Sequence, residues 1–201
     1  MAMIFVYDHT VGGFRCGTGE PLPVLLREHA FSRRQGYGGP AWTDRRLVRA
    51  YQAACAELGP IEVEACFKRP GRGQSAHYAG LALDMGRELP PYRRRELREF
   101  CLASPLFAYV EPPYLTPTWV HAEVSVAPAC GPGRGYPFLA PGDAGPHVFL
   151  LQELLNQRGF PCLMTGRFSE TTRLALLRYQ RRHGLPAHGH ADGELWGHIT
   201  S

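Results

Sequence analysis

The sequence has no run of about 18 apolar residues, the length a membrane-spanning helix requires, so no span is expected. It also lacks a basic start followed by an apolar stretch. The opening Met1-Ala2-Met3-Ile4-Phe5-Val6-Tyr7 is cut short by Asp8, which is not the pattern of a secretory signal peptide. No two of the cysteines at 16, 55, 66, 101, 130 and 162 have C-x-x-C spacing, which excludes a cysteine zinc knuckle and a thioredoxin motif. Cys55 and Cys101 fall on apolar helix faces and read as buried thiols. A strong charge bias is missing as well. A formal charge of +4 is too small to imply a nucleic-acid partner.

What is present is a globular composition, 44% hydrophobic and 20% charged, in 201 residues. That length holds one large domain, or a medium domain and a small one. The 23 glycines and 18 prolines predict a loop-heavy mixed fold and not a helical bundle.

Ile4 to Tyr7 reads as a short strand, and 11–40 as loops rich in Gly, Pro and Arg. Thr43 reads as a helix N-cap with Asp44 in the first turn. Leu47, Tyr51, Cys55 and Leu58 carry the helical period, and Gly59 stops it. Ile61 to Phe67 alternates as a half-buried strand. A basic turn, Lys68 to Gly73, follows. Leu81 to Met85 is a strand with Ala82 and Asp84 on one face. A helix over about 91–103 starts at Pro91. Phe107 to Val110 is a further strand, ended by Glu111-Pro112-Pro113-Tyr114. In the strand from Trp119 to Val126, Val120, Ala122, Val124 and Val126 face the core. Trp119, His121, Glu123 and Ser125 face the other way.

A Pro- and Gly-rich linker at about 127–145 then leads into a purely helical pattern. Val148, Leu151 and Leu155 form one stripe closed by Gly159. A helix over 171–183 buries Leu174, Leu176, Leu177 and Tyr179 and exposes Arg173, Arg178, Arg181 and Arg182. A short third helix covers 192–198. The expected class is therefore α+β. A small antiparallel sheet with flanking helices occupies a domain over 1–138, and a small all-α three-helix domain occupies 139–201.

The chemistry is concentrated in Ser75-Ala76-His77-Tyr78-Ala79-Gly80-Leu81-Ala82-Leu83-Asp84 and in Trp119-Val120-His121-Ala122-Glu123. The spacing from His77 to Asp84 is too long for one helical face and fits a turn at Gly80 that returns Asp84 towards His77. His121, on a neighbouring strand, completes a set of two imidazoles and a carboxylate. Three such ligands with a fourth position left to water make a hydrolytic zinc site. Each residue alone has a plainer reading, a hydrogen-bonded histidine or a turn-capping carboxylate; the combination carries the inference.

These two segments resemble those of the zinc D,D-carboxypeptidase and endopeptidase family that cuts peptidoglycan stem peptides. That fold is shared with lysostaphin-type endopeptidases and the hedgehog signalling domain. The resemblance covers roughly residues 60–126 and implies Zn2+ ligands at His77, Asp84 and His121. The family often keeps an acidic general base three residues before the second histidine; here Thr118 stands there. Glu123, on the face of His121, and Glu111, just upstream, are the alternatives. Glu123 is slightly favoured as base, and it could instead only orient a ligand. Where the family has an arginine for a substrate carboxylate, this chain has Lys68 and Arg69. Gln74 and Ser75 would bond the peptide backbone.

The tail, from Leu150-Leu151-Gln152 through Gly166-Arg167-Phe168 and Tyr179-Gln180-Arg181 to Leu195-Trp196, resembles a three-helix peptidoglycan-binding domain over 144–199. Both resemblances imply one polymer, peptidoglycan, and a monomeric zinc hydrolase of the cell wall or extracellular space. With no signal-peptide pattern at the start, the route out stays open between release at lysis or sporulation, as for a spore protein or a phage-like lysin, an export route not written in the sequence, and a leader already trimmed. The rival expectation is a catalytically inactive wall-binding, structural or spore protein. Which peptide bond would be cut stays open: a D-Ala-D-Ala end, an L-Ala-D-Glu link and a cross-bridge all fit. The histidines at 183, 188, 190 and 198 read as exposed loop residues and not as a second metal site.

Overall fold

The computed structural model describes residues 4–16, 40–70, 72–124 and 135–201. The loop expected at 17–39, the strand end at Ser125 and Val126, Cys130 and much of the linker lie outside these residues. The chain divides into two compact units. The first comprises Met1–Asp8, Arg15–Arg69 and Ala76–Val126; the second comprises His9–Phe14, Pro70–Ser75 and Ala127–Ser201.

Strands β1 (Ile4–Asp8), β2 (Gly13–Cys16) and β3 (Ala41–Asp44) form a sheet in the order β2-β1-β3. β1 and β3 pair in parallel, Ile4 opposite Ala41 and Tyr7 opposite Asp44. β3 runs straight into helix α1 (Arg45–Leu58). The N-cap is Asp44, whose carboxylate accepts the Arg46 N–H at 2.8 Å, and not Thr43. Thr43 is still in the strand and turns its hydroxyl to the Gly80 carbonyl, 2.9 Å away. The carboxylate outcompetes the hydroxyl because a charged acceptor suits the positive end of a helix better.

The second sheet has the order β4-β5-β7-β6, from β4 (Val63–Ala65), β5 (Ala82–Met85), β6 (Tyr109–Val110) and β7 (Val120–Glu123). Its described pairs are all antiparallel. Each strand is shorter than the alternation in the sequence suggests. The core face is as expected: Val120, Ala122 and Val124 are buried beside Leu81, Leu83 and Met85. Helix α2 (Pro91–Ala103) packs on this sheet and buries Leu97 and Cys101. Cys66 and Cys101 are buried thiols, and burial pushes each up to about 12, so neither is a ready nucleophile. Cys55 is only half-buried.

In the second unit, helices α3 (Pro146–Gln157), α4 (Glu170–Arg182) and α5 (Gly193–Ile199) enclose Leu150, Leu151, Leu155, Leu176, Trp196 and Ile199. Leu174, expected inside, is 44% exposed. Two buried glutamines hold the loops. Gln152 accepts from the N–H groups of Thr165 and Gly166, both at 2.9 Å, and donates to the Arg167 carbonyl at 3.0 Å. Gln180 accepts from Gly189 N–H at 3.0 Å and donates to the His190 carbonyl at 3.1 Å. A buried amide that is fully paired this way fixes a loop against a helix at little net cost.

Candidate metal centre

The site begins with a steric requirement. Gly80 has φ of +67°, and a Cβ there would sit 2.1 Å from the Trp42 carbonyl oxygen. No side chain fits against that backbone atom, so the chain can turn at this point only through glycine. The residues before it, Ala76–Ala79, form a single 3-10 turn that carries His77, and those after it form β5. The β5–β7 ladder then sets Asp84 directly opposite His121. Paired residues share a sheet face, so the two side chains meet.

The ligand atoms of His77, Asp84 and His121 all lie within 4.8 Å of one another. Asp84 Oδ1 is the hub, 3.1 Å from His77 Nε2 and 2.8 Å from His121 Nδ1. The outer nitrogens are also held. His77 Nδ1 is 3.1 Å from the Cys66 carbonyl oxygen, and His121 Nε2 is 2.9 Å from Glu123 Oε1. The Cys66 carbonyl can only accept, so His77 Nδ1 carries a proton, whereas His121 lies between two carboxylates that each accept from it. A neutral His77 ring then turns the lone pair of Nε2 towards Asp84. His77 is 3% exposed, and burial holds its pKa below the ordinary value despite the Asp84 carboxylate. A ring lone pair and a carboxylate oxygen 3.1 Å apart repel one another. A bound cation removes that repulsion, and the donor set, two nitrogens and one oxygen, suits Zn2+.

The chain's only lysine, Lys68, stands beside this group. Its ammonium donates to Asp84 Oδ2 at 2.8 Å. Burial raises the Asp84 pKa, but the His121, His77 and Lys68 side chains around it outweigh that effect and hold the carboxyl well below the usual carboxylate range. Lys68, expected to anchor a substrate carboxylate, is therefore bonded to one of the proposed ligands. Arg69 is exposed. Gln74 and Ser75, expected to meet substrate, group with the second unit. There the Gln74 side-chain oxygen accepts the Tyr136 N–H at 2.7 Å, and the Ser75 N–H donates to the Tyr136 hydroxyl at 3.0 Å.

The two glutamates separate by geometry. Glu123 shares the face of His121 as expected, but it is buried and holds the imidazole's outer nitrogen, which is the orienting position for a ligand histidine. Glu111 lies one step past β6, and its N–H donates to the His121 carbonyl at 2.9 Å. The β6–β7 register, Val110 opposite Ala122, carries on to place Glu111 opposite His121 on the same face. Sequence reading missed what fixes this segment. The buried Arg98 guanidinium donates to the carbonyls of Glu111, Thr116 (2.8 Å) and Trp119 (2.8 Å), while Arg94 donates to the Thr118 carbonyl at 3.2 Å. The arginines recur along α2 at the spacing of one helical turn, which was the available signal.

A second group, His188, His190 and Asp192, also brings ligand atoms within 4.8 Å of one another. It lies in the loop before α5 that the sequence reads as carrying exposed histidines. His183 and His198 are not part of it.

Residues 144–199 match the family model described as "Putative peptidoglycan binding domain". The match supports association with the cell wall. It does not reach the segment that carries His77, Asp84 and His121. No curated protein and no solved structure matches the chain. No helix among the described residues is long and apolar enough to cross a membrane.

Proposed function

We propose that the first unit is a zinc-dependent peptidase of peptidoglycan stem peptides and that the second tethers it to the wall. The observation that carries the reading is the convergence at Asp84: nitrogens of two imidazoles lie 3.1 and 2.8 Å from one carboxylate oxygen, and each ring is held by an acceptor at its other nitrogen. His77, Asp84 and His121 would hold the ion. Zinc bound there would polarise a scissile carbonyl and bring the pKa of its water near neutral.

The chain's own residues divide the remaining work. Glu123 keeps the His121 ring oriented through Nε2. Lys68 fixes the outer oxygen of Asp84. Glu111, on the same sheet face and not committed to a ligand's outer nitrogen, takes the role of proton acceptor and donor to the leaving amine. Arg69, exposed and next to Lys68 in the chain, supplies a guanidinium for a substrate carboxylate. The similarity of 144–199 to a peptidoglycan-binding domain supports the choice of polymer.

Purified sacculi test this. Soluble peptide products or new amino groups should appear, disappear with chelator and return with added zinc. Release of peptide that ignores chelation would sink the reading. Binding without release in zinc-loaded protein would favour a non-catalytic wall protein, the reading that Thr118 in place of an acid allows.

A further inference from the structure

The second unit carries a mixed aromatic and cationic face where the three helices end. Tyr179, in the last turn of α4, is buried and forms its centre. Phe160 stands edge-on to it with ring centroids 5.2 Å apart, and His183 lies over it at 4.4 Å. His198, in α5, receives the Tyr179 hydroxyl at Nδ1 (2.8 Å) and sits 4.9 Å from His183, centroid to centroid. His183 is exposed, and Phe160 and His198 are half-buried, so the cluster around buried Tyr179 reaches solvent and does not form a closed core.

Charge points the same way. Arg158, at the end of α3, and Arg182, at the end of α4, are exposed and are the arginines whose charges act on His183. Arg158 is held in place by the carbonyls of Ile199 and Ser201, both at 3.0 Å from its Nη2. Its remaining guanidinium donors are thereby pre-oriented at little entropic cost. Planar faces beside fixed guanidinium groups suit a ligand with a flat apolar sugar face and a carboxylate a few ångströms away.

We propose that Phe160, Tyr179, His183 and His198, with Arg158 and Arg182, form the surface on which this unit holds one muramyl-peptide repeat of peptidoglycan. The sugar ring rests on the imidazole and phenyl faces, and a free carboxylate of the stem peptide pairs with the guanidinium groups. The inference rests on the reading that the second unit binds the wall, and it adds the place and the chemistry of that contact.

The test is co-sedimentation of the full chain with purified sacculi in chelator, which silences any cleavage. A His183→Ala/Arg182→Ala double variant, altered only at exposed positions, should lose at least tenfold in apparent affinity. Arg173→Ala removes the same charge from α4 nine residues earlier, half a turn around the helix, and should bind as the native chain does. Thermal unfolding checks that each variant is folded. Equal sedimentation of the double variant and the native chain would overturn the assignment while leaving wall binding intact. An equal loss in Arg173→Ala would also overturn it, reducing the effect to net charge. A native chain that stays in solution would overturn both this assignment and the wall-binding reading. Cleavage of soluble stem peptides with zinc, measured separately, does not need the tether and reports on the metal site alone.

Discussion

His77, Asp84 and His121 in the first unit, and His188, His190 and Asp192 in the second, satisfy the same distance criterion with the same residue types. Their surroundings differ in a way that decides what each can do. In the first group, a 3-10 turn and two paired strands supply the side chains, and every outer nitrogen meets an acceptor. In the second, all three come from one loop. The rings are stacked at 3.4 Å and 8°, so their in-plane lone pairs run side by side and do not converge. The Gln180 amide donates to His188 Nδ1 at 3.3 Å, so His188 Nε2 carries the proton and gives it to Asp192 Oδ2 at 3.0 Å. The other Asp192 oxygen caps α5 through the Leu195 N–H at 2.9 Å. That network closes without a cation. Proximity of ligand atoms is common, whereas side chains brought together from separate elements, with their outer nitrogens held by acceptors, are what mark a metal site.

The largest effect should come from setting one group against the other. With zinc a hundredfold above its dissociation constant, the native chain should gain about 2.7 kcal/mol of stability. Asp84→Ala should gain none, and zinc analysis should fall from one ion per chain to none. A His188→Ala/His190→Ala variant should keep both the ion and the gain. One lost ion in the loop variant, or two ions in the native chain, would erase the distinction.

A smaller and more selective effect should separate the two glutamates. Glu111→Gln removes the proposed proton acceptor and should slow release of peptide from sacculi by about 10²–10⁴-fold while zinc affinity holds. Glu123→Gln weakens the hold on His121 Nε2 and should lower zinc affinity by about 10–100-fold. Competition with a chromogenic chelator reads the affinity, and amine release reads the rate. Reversal of the two phenotypes would return Glu123 to the role of base that its place in the sequence first suggests.

The site was legible where chemistry and spacing coincide. Gly80 had to turn the chain, Asp84 had to return towards His77, and the alternation around His121 put Glu123 on its face; the structure shows all three. What could not be read depends on contacts between strands. Lys68 reaches Asp84 only because β4 lies beside β5. Glu111 stands opposite His121 only through a ladder that a proline-rich loop hides from any periodicity. Which nitrogen of His121 faces inward decides between an orienting and a catalytic glutamate, and no sequence pattern encodes a tautomer. In the fold, the parallel pairing of β1 with β3 escaped because the two strands are short and far apart in the chain. The helical tail was clearer, since a 3.6-residue stripe repeats several times within each helix whereas a four-residue strand offers two positions per face.

The smallest expected effect is on acid stability of the metal-free chain, and it again divides the two groups. Burial holds His77 below its ordinary pKa, so the unfolded chain takes up this proton before the folded one does. The sign follows: stability is fully present above about pH 6.5 and is lost as the pH falls below that value towards the folded pKa. Asp84, also held low in the fold, adds a loss of the same sign further down, as the pH falls through the carboxylate range and below. His190 is lowered too, first by burial and then by His188, but its surroundings are open to solvent, so its share is screened to little. Thermal unfolding in chelator between about pH 7.5 and 5 should therefore show a midpoint that falls with acid in the native chain and in His190→Gln. The fall should be shallower in His77→Gln, which does not titrate. A slope unchanged by His77→Gln, or flattened by His190→Gln, would mean that the buried imidazole at the sheet is not the group that senses acid. Burial would then not be what separates the two histidine groups in their response to acid.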